Sequence, residues 1–182
     1  MINKFQILLL VISLAFTSCK NDNNYKTTKS NTKLVSSFEK IESSYSNITF
    51  INKITPDLTN KANLFDYDYF YNGSGVGIAD FNNDGLKDIV LSANQTENRL
   101  YINKGDLVFE DITSQSNINE NKKWSSGIAI ADVNNDGWMD IYISQGGPFS
   151  SSERKNLLYI NQKDLTFKEL ATEYGLDDKG IS

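Results

Sequence analysis

One unit of sequence occurs twice in this chain, and that duplication limits the fold more than any other feature. "GIADFNNDGLKDIVLSAN" (77–94) aligns with "AIADVNNDGWMDIYISQG" (129–146), an offset of 52 residues. "NRLYINKGDLVFEDITSQSNI" (98–118) aligns with "NLLYINQKDLTFKELATEYGL" (156–176), an offset of 58. The difference is a Gly/Ser-rich insertion, "GGPFSSSER", in the second copy. A partial third copy lies upstream, where "SFEKIESSYSNI" (37–48) echoes the two tails. Repeats of this size are supersecondary units that bury their faces by stacking on one another.

The first copy divides into four strand candidates: Val76–Phe81, Asp88–Ala93, Arg99–Asn103 and Leu107–Ile112. Beta-branched and aromatic residues fill them, and Asn, Asp and Gly separate them, which predicts an antiparallel meander with tight turns. Four strands per period of ~50 residues is the pattern of a propeller blade. The expected fold class is all-β: an incomplete β-propeller of four-stranded antiparallel blades, two full repeats plus a partial one. After Phe109 and Phe167 the pattern turns helical for a few residues. The run "FDYDYFYNG" (65–73) alternates Phe65, Tyr67, Tyr69 and Tyr71. It reads as the buried face of a strand, with a ridge for a sugar or protein as the alternative. The glycines of "GSGVG" (73–77) point to close backbone packing, because no Lys-Ser/Thr follows as a phosphate loop requires. Trp124 and Trp138 are candidates for packing between blades.

"DFNNDGLKD" (80–88) and "DVNNDGWMD" (132–140) place oxygen-bearing side chains at alternate positions of a loop. A hard dication such as Ca²⁺ takes six to eight oxygens from carboxylates, amides, carbonyls and water. The first loop offers Asp80, Asn82, Asp84 and Asp88 with the carbonyl of Leu86; the second offers Asp132, Asn134, Asp136 and Asp140 with that of Trp138. Without a cation, carboxylates crowded in this way repel one another or take up protons. An EF-hand is excluded, because Leu91 and Ile143 stand where its bidentate Glu belongs and the flanks read as strands. The competing reading is plain turn chemistry, Asx turns with a glycine for positive φ. That accounts for Asp84-Gly85 and Asp136-Gly137 but not for the Asp at both ends of each loop.

The chain has 182 residues, no histidine and a net charge of −5. An acidic balance without a basic cluster argues against nucleic acid as partner. The lack of histidine removes the commonest general base, the commonest zinc ligand and every His-activated nucleophile. The single cysteine follows "MINKFQILLLVISLAFTS", which has the layout of an export signal: a positive start, a short apolar run and small residues. Cys19 there resembles the lipidated cysteine of a bacterial lipobox; ordinary cleavage nearby is the alternative. Residues 20–33 hold one aromatic and no aliphatic side chain, the composition of a flexible tether. The expected organisation is a lipoprotein signal peptide (1–18), a tether (19–33), a partial blade or closing region (34–74), and two repeats (75–125 and 126–182). The chain is expected to start a longer protein.

The two DxNxDGxxD loops, each followed by "LYIN", resemble FG-GAP/VCBS repeats, which build integrin-α-like β-propellers. The stretch 36–182 is also similar to the N-terminal part of large lipoproteins of Bacteroidetes-type bacteria. Those belong to a cartilage-acidic-protein-like group that often carries an ASPIC/UnbV domain, which nothing in this sequence matches. The resemblance implies that the named loop residues ligate Ca²⁺. The functional expectation is a calcium-binding, non-enzymatic module that binds a protein or glycan, lipid-anchored through Cys19 at the bacterial outer membrane or cell surface. The alternatives are a propeller-scaffold polysaccharide hydrolase or lyase, and a purely structural spacer.

Overall fold

The computed structural model describes residues 38–118 and 124–180. The chain divides into two units, Met1–Glu39 and Lys40–Ser182. Only Phe38 and Glu39 of the first are described, so the export signal, Cys19 and the tether lie outside the described residues. No helix among the described residues is long and apolar enough to cross a membrane.

The second unit is all-β. One helical turn, α1 (Ser43–Ser46), leads to strands β1 (Val76–Ala79), β2 (Asp88–Leu91), β3 (Arg99–Asn103) and β4 (Phe109–Asp111). A second turn, α2 (Thr113–Ser116), precedes β5 (Ser125–Ala131), β6 (Asp140–Gln145), β7 (Leu157–Asn161) and β8 (Phe167–Glu169). Strands β1–β4 pair in sequence order as one antiparallel sheet, and β5–β8 form a second. The repeat survives in the register: Ile89 faces Tyr101 across β2–β3, and Ile141 faces Tyr159 across β6–β7. These are two blades of the kind the duplication predicts. β1, β2 and β4 are each two or three residues shorter than their sequence candidates, because the bracketing residues turn into the loops.

A sheet has two faces, and each blade covers one with the other blade. The largest core cluster takes Val90, Leu100 and Ile112 from the first blade and Ile141, Ile143 and Leu157 from the second. The rings of Phe81 and Phe167 meet edge to face across this boundary, with centroids 6.0 Å apart. Full burial of such side chains stabilises the fold by about 1.5–3 kcal/mol each. Beyond this core, the carbonyl of Leu100 accepts from the Ile112 amide, which ties the α2 turn back onto β3.

The aromatic run departs from the strand expected of it. Residues 65–72 form successive turns, stabilised where the Asn63 side chain accepts the amides of Phe65 and Asp66. Phe65 is 91% exposed, Tyr69 and Tyr71 are also exposed, and the buried ring is Phe70, outside the alternation. Alternation alone does not make a strand when no neighbour supplies a ladder of hydrogen bonds. Phe70 packs on Trp124 at 5.3 Å between centroids, and Tyr67 meets the same indole edge-on at 5.6 Å. Trp124 thus anchors this turn region in a satellite core.

The close packing expected of "GSGVG" is present. A Cβ added to Gly75 would lie 2.8 Å from the Ile128 amide nitrogen, against backbone that has nowhere to go. Overpacking of this sort costs about 1–3 kcal/mol. Gly75→Ala is therefore expected to lower the unfolding free energy by that amount, read as a lower denaturant midpoint at an unchanged m-value. A midpoint equal to that of the parent chain would show that the blades can separate here without loss.

Candidate functional site

Both acidic loops connect the first and second strands of their blades, β1 to β2 and β5 to β6, at the same end of the sheet. Each bends through a left-handed Asn and a left-handed Gly: Asn83 and Gly85 at φ 57° and 90°, Asn135 and Gly137 at 58° and 86°. Inside each bend the side-chain oxygens gather around backbone amides. The Asp84 amide is shared between Asp80 Oδ1 at 3.1 Å and Asn82 Oδ1 at 3.2 Å. The Asp136 amide is shared in the same way between Asp132 Oδ1 at 3.0 Å and Asn134 Oδ1 at 3.1 Å. Asp80 Oδ2 and Asp132 Oδ2 each accept the following glycine amide at 2.8 Å. Asp84 and Asp136 then accept the amides of Leu86 and Trp138 and the side-chain amides of Asn82 and Asn134.

The ninth residue of each loop does something else. Asp88 and Asp140 are buried, and both of their oxygens are taken by backbone. Asp88 accepts the Phe81 amide at 2.8 Å and the Asn103 amide at 2.9 Å; Asp140 accepts those of Val133 at 3.0 Å and Asn161 at 2.9 Å. Each carboxylate therefore clasps the start of its loop to the end of the third strand. No three His, Cys, Asp or Glu side chains among the described residues gather closely enough to hold a metal between them. In each loop the first, third and fifth residues come together, but the third is an Asn and the last of the three acids faces the backbone.

Electrostatics separates the two kinds of acid. Hydrogen bonds from the Leu86 amide and the Asn82 side chain hold the Asp84 carboxyl below the usual range. At Asp136 burial pulls upward, but the Trp138 amide, the Asn134 side chain and Lys163 outweigh it, and that carboxyl is also held low. Burial pushes Asp88 up against the pull of the Asn103 and Phe81 amides, and the charges of Asp84 and Asp80 add to the rise. Asp140 is raised by burial against Asn161 and Val133, with Asp136 and Asp132 adding to it.

The donor set fits a hard cation in kind. It is all oxygen, and each carboxylate oxygen of Asp80 and Asp84 accepts one hydrogen bond while having two lone pairs. The carbonyls of Leu86 and Trp138 accept no hydrogen bond from any described residue.

Asn103 and Asn161, the last letters of the two "LYIN" strings, belong to this site although loop spacing gave no hint of them. Asn103 Nδ2 donates to the Lys87 carbonyl and Asn161 Nδ2 to that of Met139, so each pins its own loop. Asn161 Nδ2 also reaches the Phe81 carbonyl of the other blade at 2.9 Å, and Asn83 Nδ2 reaches the Gly137 carbonyl at 3.2 Å. The two loops are joined across the blade boundary. The recurrence of "LYIN" at corresponding places was the available signal.

Residues 80–143, from the first acidic loop to within β6, match the family model described as FG-GAP-like repeat. Cartilage acidic protein 1 of Xenopus tropicalis is 28% identical over 116 residues, 64% of this chain. The matched stretch spans 18% of that relative's length.

Asp88 and Asp140 bind protons more tightly in the folded chain than in the unfolded one. Their contribution to stability is full below the ordinary carboxylate pKa and is lost as pH rises through the raised folded values. In chelator, the denaturant midpoint is expected to carry this downward component across that window. Asp88→Asn with Asp140→Asn should remove it; an unchanged pH slope in the double variant would place the titration elsewhere.

Proposed function

We propose that this chain, which carries an FG-GAP-like repeat, is a calcium-stabilised pair of propeller blades in an exported binding protein. The supporting observation is the shared amide of each loop. In both blades the oxygens of the first and third residues converge on one N–H, beside a fifth-position carboxylate held in its anionic form. A dication bound there takes up the remaining lone pairs, through Asp80, Asn82, Asp84 and the Leu86 carbonyl, and through Asp132, Asn134, Asp136 and the Trp138 carbonyl. Asp88 and Asp140 contribute by fixing the loop ends, and they ligate only if they turn from their amides. Binding would stiffen the join of two strands, a structural role. Affinity in the extracellular class, about 10⁻⁴ to 10⁻³ M, suits such a site.

The ligand of the whole protein is proposed to be a protein or a glycan. It is met at a surface to which Cys19 tethers the chain by lipid, at the outer membrane or cell surface of a bacterium. The layout of the first 19 residues supports export and anchoring. The hydrolytic alternative finds no supporting geometry among the described residues. Asp88 and Asp140, the two carboxyls that burial raises, are sealed from solvent among backbone amides.

Calcium at 100 times its dissociation constant stabilises by about 2.7 kcal/mol per site. With two such sites the melting temperature of the chain is therefore expected to climb by roughly 10–20 °C at that Ca²⁺ concentration. Asp84→Ala combined with Asp136→Ala should abolish the shift while the far-UV spectrum stays that of β-sheet. A parent chain that is folded yet indifferent to Ca²⁺ ends the calcium reading. Binding to a glycan array, set against binding to surface-protein extracts, then separates the two ligand classes.

A further inference from the structure

The two acidic loops differ by a single lone pair. Asp84 Oδ2 accepts one hydrogen bond, from Asn82 Nδ2 at 2.9 Å, and keeps its second lone pair free. Its counterpart, Asp136 Oδ2, accepts Asn134 Nδ2 at 3.1 Å and also meets Lys163 Nζ at 3.3 Å, which takes the second lone pair. The other oxygens are alike, since each Oδ1 accepts one amide, from Leu86 or from Trp138. Asp80 and Asp132 also match, each accepting the same two amides of its own bend. Apart from one ammonium, the loops offer a cation the same oxygens.

The second blade places that ammonium through the turn between its third and fourth strands. At the end of β7 the Asn161 amide donates to Asp140 and its side chain to the Met139 carbonyl, which fixes the strand end to the loop. Asn161 Oδ1 then accepts the Lys163 amide at 2.9 Å, with Lys163 at φ 71°. The first blade makes the same bond, from the Gly105 amide to Asn103 Oδ1 at 2.9 Å, with Gly105 at φ 93°. The backbone is repeated, but at that place the first blade has no side chain. Other cations near the first loop do not substitute for it. Lys104 pairs with Glu110 at 3.4 Å, and Lys87, which stands where the second loop has Met139, forms no ion pair with a described residue. Neither bonds to a loop carboxylate, and across solvent their charge is screened within about 8 Å.

We infer that Lys163 is a built-in competitor at the second loop, so that calcium fills the first loop before the second. The inference rests on the calcium reading above and adds an order of filling to it. A dication entering at Asp136 meets an ammonium that already holds a ligand lone pair, and must displace it or sit beside its charge. At Asp84 the free lone pair is taken without displacement. A unit charge in contact with a ligand carboxylate at an exposed site lowers the affinity for a dication by about 3–10-fold. Two copies of one motif thereby respond to calcium over a wider range of concentration than two equal sites do.

The test disables one loop at a time in the full chain and titrates each variant with Ca²⁺ by calorimetry. Asp136→Ala leaves the first loop, and Asp84→Ala leaves the second. The first-loop chain is expected to bind about 3–10-fold more tightly than the second-loop chain. Lys163→Met keeps the length of the side chain and removes the charge, so adding it to the second-loop chain should close that gap. Added to the first-loop chain it should change nothing. Equal affinities of the two single-loop chains overturn the inference while the calcium reading stands. So does a Lys163→Met variant whose second loop stays as weak as before. A parent chain that takes up no calcium overturns both.

Discussion

The structure depends on one approach, that of β1 to β5 at Gly75 and Gly77. A four-stranded sheet of short strands cannot stand alone in water, because its apolar residues point both ways. β7 shows this most plainly, with all five residues buried. The blades solve the problem by lying so close that a single methyl group at Gly75 would strike the opposing backbone. Small residues on the inner strand let large ones behind it, Leu100, Ile141 and Leu157, close the core. Without that approach the Phe81–Phe167 contact and the Asn161 bridge to Phe81 would have no geometry to rest on.

The same approach sets the loops side by side, and it divides each loop into two parts with different physics. Asp88 and Asp140 are structural: buried, doubly hydrogen-bonded and expensive to leave charged, yet satisfied by amides that would otherwise be orphaned. Asp80, Asn82, Asp84 and their counterparts are exposed or partly so and hold only the bend. A carboxylate in this position has lone pairs in excess of its donors. Such a loop is pre-bent by its own amides, so the proposed cation would have little chain ordering left to do.

The strands were legible because period-two patterning and turn residues agree there, and the duplication offered each judgement twice. The helical turn after the fourth strand was legible, but the left-handed Asn that closes it was not; it recurs at φ near 60° at Asn47 and Asn117. Residues 65–71 misled because alternation is a property of one segment, whereas a strand is a property of two. Nothing in "FDYDYFYNG" names a partner, and the Asn63 Asx turn that breaks it lies upstream. The role of Asp88 and Asp140 was half visible. Spacing placed them in the loop, but only the fold brings the Asn103 and Asn161 amides to them, from 15 and 21 residues away in the chain.

Identity of pattern between the loops also does not make them equal. In the second loop Lys163 Nζ stands 3.3 Å from Asp136 Oδ2, and its counterpart beside the first loop is Gly105. Lys104 influences Asp84 only through its charge and pairs instead with Glu110, at 3.4 Å. An ion pair as exposed as Lys163–Asp136 contributes little to stability. Its effect on the proposed site is nonetheless directional, because a dication bound there would have to share Asp136 with an ammonium or displace it. The first loop carries its negative charge without such a neighbour. Two loops drawn from one repeat thus present unequal fields. The inequality comes from the third-to-fourth strand turn, a part of the blade that the loop motif does not include.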